Sequence, residues 1–337
     1  MTPSPGTSPE ATPATAAPAP SGGESWVTVV IAFIANLAVA IAKTVAAVLT
    51  GSAAMVAEAA HSWADAGNEI FLLVAERRSS RTADPSHPTG YGREAYVWSM
   101  FAAFGLFAVG AAVSIWHGIQ SLFEPEVEGD YLVAYIVLAL SAVFEGFSFV
   151  QSIRQARGRA RALKRGTLDY VSHGSNSTLR AVFFEDAAAL IGLAIAAAAL
   201  ALHQITGIAA FDAAGSILVG VLLAVVAIVL IDRNRRYLVG ESVTPAMRDQ
   251  VLGSLIAHRA IDRVTYLHIE FVGAGRVYVV AAVDLTGDDR EGVLAVRLRE
   301  LERDIEQNPL VEEVVLTPAA PGEPALHPGV PGTRRML

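Results

Sequence analysis

Six stretches of mostly apolar residues, 26–50, 53–75, 96–123, 131–152, 179–203 and 211–231, follow one another along the first two thirds of the chain. Each is long enough, at 1.5 Å per helical residue, to cross about 30 Å of hydrocarbon. The pattern predicts six transmembrane helices. Past residue 240 the period changes: a helix is expected over 245–258, alternating strands over 264–272 and 276–285, a helix over 290–307 and a strand over 311–316. Gly273, Ala274 and Gly275 stand where the first two strands would turn back on each other. The expected fold is an all-α six-helix transmembrane bundle over 25–239, followed by a small α+β domain in α-β-β-α-β order over 240–318. Residues 1–24, nearly all Pro, Ala, Thr, Ser and Gly, have no apolar run or basic flank to form a signal peptide and read as a disordered tail. A second disordered tail is expected over 319–337, where Pro and Gly return.

Charge gives the bundle a direction. Arg77, Arg78, Arg81 and Arg93 follow the second stretch; Arg154, Arg157, Arg159, Arg161, Lys164 and Arg165 follow the fourth; Arg233, Arg235 and Arg236 end the sixth. The alternate connections hold Gly51 and Ser52, then Glu124, Glu126, Glu128 and Asp130, then the uncharged 204–210. The basic connections belong on the cytoplasmic side, so both termini are expected there, in a multi-pass protein of the cell inner membrane.

Composition narrows the chemistry. The chain has no cysteine, so a transition-metal site would be built from His, Asp, Glu or Asn. A formal charge of −8 argues against nucleic acid as a partner. No nucleophile, cofactor loop or phosphate cradle marks an enzyme. The second stretch is the least apolar, because Glu58, His61, Asp65, Asn68 and Glu69 fall inside it, and such groups are tolerated in a membrane when they face a bundle interior or a wet cavity. His61 and Asp65, four residues apart on a helix, project from one face and can hold one cation, with Asn68 close to the same face. A plain His–Asp hydrogen bond between helices is the alternative. In the fifth stretch, Glu185 and Asp186 form a second acidic element. Neighbouring helical positions point about 100° apart, so one of the two aims at the bundle centre; Asp186 is placed first and Glu185 second. Glu185 could instead pair with Arg180. Lys43 is expected to neutralise a carboxylate of the second helix, Glu58 to lie near the outer mouth and Asp212 to cap the sixth helix. Asn36, Glu69 and Glu145 are further polar residues in or near spans. His87 and Arg93 are expected to pair with acids of their loop, and His258, His268 and Asp284 are candidates for regulatory metal.

Three segments carry a resemblance to the cation diffusion facilitator family: GSAAMVAEAAHSWADAGN from Gly51 to Asn68, HPTGYGRE from His87 to Glu94, and FDAAGS from Phe211 to Ser216. The likeness covers about residues 25–318. It implies six helices, a cytoplasmic domain of metallochaperone-like shape that mediates homodimer formation, and a tetrahedral transport site with His61, Asp65 and Asp186 as ligands. Val182 stands four residues before Asp186, where many members have a ligating His. The run VFFEDAAALIG from Val182 to Gly192 instead resembles the branch that includes zinc transporter 9, which has an adjacent acidic pair, so Glu185, Asn68 or water would complete the site. The expected function is export of a divalent cation, Zn2+ first, by proton antiport and alternating access, with no cofactor. The alternatives are Mn2+, Fe2+ or Co2+ as main substrate, a channel, or a metal-responsive membrane scaffold or sensor that does not transport.

Overall fold

The structure, a computed structural model, describes residues 26–123, 131–162 and 165–330. The expected tail over 1–24, the acidic connection at 124–130, Lys164 and the last residues of the second tail lie outside the described residues. The membrane part consists of α1 (Trp26–Thr50), α2 (Ala53–Ser79), α3 (Glu94–Gly105), α4 (Ala112–Ser121), α5 (Tyr131–Ala162), the short α6 (Thr167–His173), α7 (Ser177–Thr206) and α8 (Ala210–Val239). A widened, π-helical stretch, Leu106–Ala111, joins α3 to α4 into one continuous element. Among the described residues, four helical segments are long and apolar enough to cross a membrane: Glu94–Ser121, Tyr131–Arg161, Ser177–Thr206 and Ala210–Val239. In α1 the apolar described part is shorter, Asn36–Thr50, and α2 is interrupted by Glu58, Asp65 and Glu69. Both α5 and α8 run past their expected ends at Ser152 and Ile231, because helix continues into the arginine-rich stretches beyond the hydrocarbon.

Close packing in the bundle depends on small residues, as it must where lipid tails supply no hydrophobic drive between helices. A Cβ at Gly215 of α8 would stand 2.4 Å from the Cβ of Ala199 on α7, and one at Gly220 would stand 3.0 Å from the carbonyl oxygen of Ala111. Thus α8 touches α7 and the π-helical turn backbone to backbone. α2 occupies the interior and packs against α1, α3, α7 and α8.

The C-terminal part follows the expected α-β-β-α-β order: α9 (Pro245–Ile256), β1 (Ile261–Gly273), β2 (Arg276–Leu285), α10 (Glu291–Ile305) and β3 (Val311–Pro318). Thr244 caps α9 through the amide of Met247, with Pro245 in the first turn where its missing N–H is no loss. The three strands lie in the order β1-β2-β3, β1 antiparallel to β2 and β2 parallel to β3. Alternate residues of the strands, among them Val264, Val279, Ala281, Val283 and Leu316, meet Leu252, Leu255, Leu298 and Leu301 of the two helices in one core. The segment following β3 differs from expectation. Residues 319–330 do not form a loose tail: the amide of Leu326 donates to the Val264 carbonyl at 2.7 Å, Arg263 donates to the Glu323 carbonyl at 2.9 Å, and the amide of Gly329 reaches Asp249 at 2.8 Å. A β1 carbonyl and the side chains of Arg263 on β1 and Asp249 on α9 hold this segment, and a count of Pro and Gly does not register them.

The change of period at residue 240 is not a break in packing. Tyr96 of α3 stacks on Tyr237 of α8 with ring centroids 4.9 Å apart, and Tyr237 meets Phe271 of β1 edge-on at 5.6 Å. Arg93 pairs with Glu270, and the amide of Gly275 donates to the Ser175 hydroxyl at 2.9 Å. Gly92 and Gly273 cross so closely that a Cβ on Gly92 would lie 2.4 Å from the Val272 carbonyl oxygen. Gly92→Ala must therefore push the sheet away from the bundle. With about 1–3 kcal/mol lost to overpacking, limited proteolysis between α8 and α9 should accelerate about tenfold. An unchanged cleavage rate would mean that this crossing does not hold the two parts together.

Candidate cation site

The site begins with the placement of α2. Gly51, at φ +65°, breaks the chain between α1 and α2. Ser52 then caps α2 by accepting from the Met55 amide at 3.2 Å. Asp212, from the first turn of α8, accepts from the Ser52 hydroxyl at 2.7 Å and from the amides of Ala53 and Ala54. A carboxylate at a helix N-terminus satisfies orphan N–H groups and complements the helix dipole. Asp212 therefore caps α2, not its own helix as expected; the reason is tertiary, since the start of α8 lies beside the start of α2.

Below this anchor one face of α2 carries Glu58, His61, Asp65, Asn68 and Glu69 at helical spacing. Glu58 is fully buried rather than at an outer mouth, and its Oε2 takes Lys43 Nζ of α1 at 2.9 Å, with both side chains 0% exposed. A Cβ at Gly192 of α7 would lie 2.7 Å from Glu58 Oε1, so a larger residue there would make the carboxylate shift. His61 Nε2 stands 3.3 Å from Asp65 Oδ2, without hydrogen-bond alignment. Asn68 donates its amide to Glu185 of α7, and Asn36 of α1 donates to Glu69. Asp186 turns the other way, accepting the Ser148 hydroxyl of α5 at 3.1 Å to each carboxylate oxygen. Both ring nitrogens of His61, Asp65 Oδ1, Asn68 Oδ1 and Glu69 Oε2 are buried without a hydrogen-bond partner. Burying such atoms unpaired costs about 1–3 kcal/mol each, and imidazole nitrogen with carboxylate and amide oxygen is a donor set for a divalent transition metal.

The structure thus brings His61 and Asp65 together and connects Glu185 to them through Asn68, while Asp186 faces α5. Both acids are buried, Glu185 reaching toward Asn68 of α2 and Asp186 toward Ser148 of α5. Among the described residues no three His, Asp or Glu side chains converge closely enough to hold one metal ion. Ser148 and Asn36 are the site residues that sequence reasoning did not assign; a serine amid Phe147 and Phe149 in an apolar stretch is the signal that could have found the first.

The remaining candidates resolve into structural roles. Arg180 does not pair with Glu185; fully buried, it donates to the Gly174 carbonyl and to Asn234 Oδ1, each at 2.7 Å, and its guanidinium lies over the Tyr237 ring. His87 lies 3.8 Å from Asp84, within its own loop, but the acid that Arg93 finds is Glu270 of the C-terminal domain. Hydrogen bonds from the Ser86 and Tyr91 hydroxyls hold the Asp84 carboxyl well below the usual carboxylate range, which keeps the loop turn charged and closed. His258 lies 3.3 Å from Asp304, His268 lies 3.6 Å from Glu270, and Asp284 pairs with Arg263 at 2.8 Å. These three sit apart with different partners, so they do not form a common regulatory metal site.

Long apolar helices enclosing a histidine, a row of carboxylates and a buried lysine define a multi-pass membrane protein with ionisable groups gathered inside its bundle. The family model for the cation efflux transmembrane domain matches residues 29–239, and the chain belongs to the cation efflux family, in the branch that resembles zinc transporter 9. It is 36% identical over 245 residues to the mitochondrial proton-coupled zinc antiporter SLC30A9 of Xenopus laevis, covering 73% of this chain and 44% of that one. To the human SLC30A9 it is 34% identical over 245 residues, 73% of this chain and 43% of that one. To metal tolerance protein C4 of Arabidopsis thaliana it is 35% identical over 238 residues, 71% of this chain and 52% of that one. The chain spans about half the length of these relatives. They are named as transporters or metal-tolerance proteins, and none as an enzyme.

The Lys43–Glu58 pair yields a direct test. Removing one partner of a buried ion pair leaves a charge without compensation and costs about 3–5 kcal/mol, whereas replacing both by apolar groups is close to neutral. Lys43→Met should lower the midpoint of thermal unfolding in detergent sharply, and Lys43→Met with Glu58→Met should restore most of the loss. Equal stability of the single variant and the native protein would show that the pair does not tie α1 to α2.

Proposed function

We propose that the chain exports a divalent transition-metal cation, Zn2+ before Mn2+, Fe2+ or Co2+, in exchange for protons, across the cell inner membrane. In this reading α1, α2, the α3–α4 element, α5, α7 and α8 are six transmembrane spans, and the arginine-rich ends and both termini face the cytoplasm. The observation that carries it is the buried His61–Asp65 pair at 3.3 Å on α2, joined through Asn68 to Glu185 on α7. Donors on two different helices are what alternating access requires, because a relative movement of α2 and α7 opens and closes the ligand set toward one side at a time. Asp186 joins that set when it leaves Ser148.

Proton coupling follows from the ligands themselves. Metal binding requires a neutral imidazole and ionised carboxylates, so the entering cation expels protons, and protons arriving from the far side compete for the same atoms and release it. The named relatives support zinc as the cargo, and the oxygen-rich donor set keeps the other metals in view. Homodimer formation through the C-terminal domain belongs to the same reading. A second reading, a membrane scaffold or sensor that senses metal without moving it, is favoured by Val182 on α7 and by the lack of a converged three-ligand cluster among the described residues.

Uptake of zinc, manganese, iron and cobalt into proteoliposomes under an imposed pH gradient separates the two readings. Proton-dependent flux of one metal is expected, with Asp65→Ala and Asp186→Ala each lowering it at least about tenfold, the scale on which losing a ligand or its support acts. Glu185→Gln should cost at least as much as Asp186→Ala, since Glu185 is the acid that faces α2. Absence of flux for every metal, in protein shown to be folded, would leave the scaffold reading; flux indifferent to the gradient would remove antiport.

A further inference from the structure

The outward face of α5 is continuous and changes character once. Leu132, Ile136, Leu140, Val143, Phe147 and Val150, spaced three or four residues apart, are 45–73% exposed and form a single stripe along the helix. Leu138, Ser152, Ala156 and Ala160 on the opposite side are buried against the bundle. The stripe therefore faces lipid. Its next members at the same spacing are Arg154, Arg157 and Arg161, all exposed. At 1.5 Å per residue they cover about 10 Å of helix immediately past the hydrocarbon, which is the depth of the headgroups. They lie at the end of the bundle that touches the C-terminal domain, where Ser175 meets Gly275.

Like Arg159 between them, these arginines have no acid to neutralise them among the described residues, whereas others at this end of the bundle do. Arg165 pairs with Asp169, and Arg235 and Arg236 pair with Asp232. Among the described residues no carboxylate contacts Arg154, Arg157 or Arg161, and Gln151 and Gln155 beside them are uncharged. An orientation signal needs basic residues anywhere in the connection. It does not need them unpaired and in register with the lipid-facing stripe.

We propose that Arg154, Arg157 and Arg161 form a binding site for anionic phospholipid headgroups in the leaflet on the side of the C-terminal domain. The guanidiniums bind the phosphodiester and any further acidic headgroup group in forked geometry, while the acyl chains lie along Phe147, Val143 and the stripe above. The same α5 carries Ser148, the hydroxyl donor to Asp186, so the lipid holds the helix that supports one wall of the candidate site. The proposal rests on α5 crossing the membrane and not on transport.

Because the chain contains no cysteine, Gln155→Cys gives a single labelling site next to the arginines. A fluorophore there, in the full chain reconstituted into phosphatidylcholine vesicles, is quenched by a small fraction of headgroup-labelled quencher lipid. Quencher on phosphatidylglycerol should be about fivefold more effective than the same quencher on phosphatidylcholine, the enrichment that roughly one arginine's worth of surface attraction produces. The preference should weaken at high salt and vanish when Arg154, Arg157 and Arg161 are all changed to Gln, which preserves helix propensity. Equal quenching by the two lipids in the native protein would overturn the proposal. So would a preference that survives the triple change, or a label that responds to soluble polyglutamate while ignoring lipid charge, which would assign the face to an acidic protein. The readout needs no metal, so its failure is distinct from a failure of transport.

Discussion

A helix carrying three carboxylates, an imidazole and an amide between residues 58 and 69 cannot stand in hydrocarbon, and the arrangement of the bundle follows from keeping α2 out of it. Three of its neighbours supply specific partners. From α1 come Lys43 for Glu58 and Asn36 for Glu69. From α7 comes Glu185, which receives the amide of Asn68. From α8 comes Asp212, which closes the open end of the helix. An unpaired ionised group at the bilayer centre costs several kcal/mol, so these pairings fix which helices surround α2 and at what height. His61 and Asp65 sit in the middle of the row, and His61 is the member with both of its polar atoms buried and unpartnered. The polar frame that makes α2 tolerable in a membrane is thus also what presents an under-satisfied site at its centre.

The same row explains why the C-terminal domain is not an independent appendage. α7 bears Glu185 and Asp186, and at its start Arg180, whose guanidinium is fixed by Gly174, Asn234 and the face of Tyr237. Tyr237 is in turn clasped between Tyr96 of α3 and Phe271 of β1. A continuous set of packed rings and hydrogen bonds therefore runs from the sheet to the base of the helix that carries the acidic pair. Interiors of this density shift between discrete arrangements and do not deform smoothly. A rotation of α7 about its base has to be accompanied by repacking around Tyr237, and so by a response of the sheet.

What could be read from the sequence was whatever repeats along a single element. The apolar stretches, the change of period near residue 240, the i,i+4 relation of His61 and Asp65 and the Gly273–Gly275 turn are all local; among the described residues the structure has helices over these stretches, four of them long and apolar enough to cross a membrane, together with the pair and the hairpin. The features that were not legible depend on what lies across from a residue. Asp212 caps a helix that begins some 160 positions earlier in the chain. Glu185 and Asp186 are adjacent and chemically alike, so only the identity of the facing residue, Asn68 for one and Ser148 for the other, decides which way each one reaches. Residues 319–330 have a loose composition but complete the hydrogen bonding of β1.

The position of Asp186 carries a last consequence. Its two oxygens accept from Ser148 at 3.1 Å, a long separation for a hydroxyl donating to a carboxylate, where 2.5–2.7 Å marks a strong bond. Such a bond is weak enough to be exchanged for a metal contact. Glu185 is held by a side-chain amide on the very helix that carries His61 and Asp65, so it already faces them. Asp186 is held by α5, and it can join the other donors only when α7 moves relative to α5. In the transport reading proposed above, ligands divided between two supports in this way would be complete in one arrangement of the helices and incomplete in another, which is how such a bundle would release what it had bound.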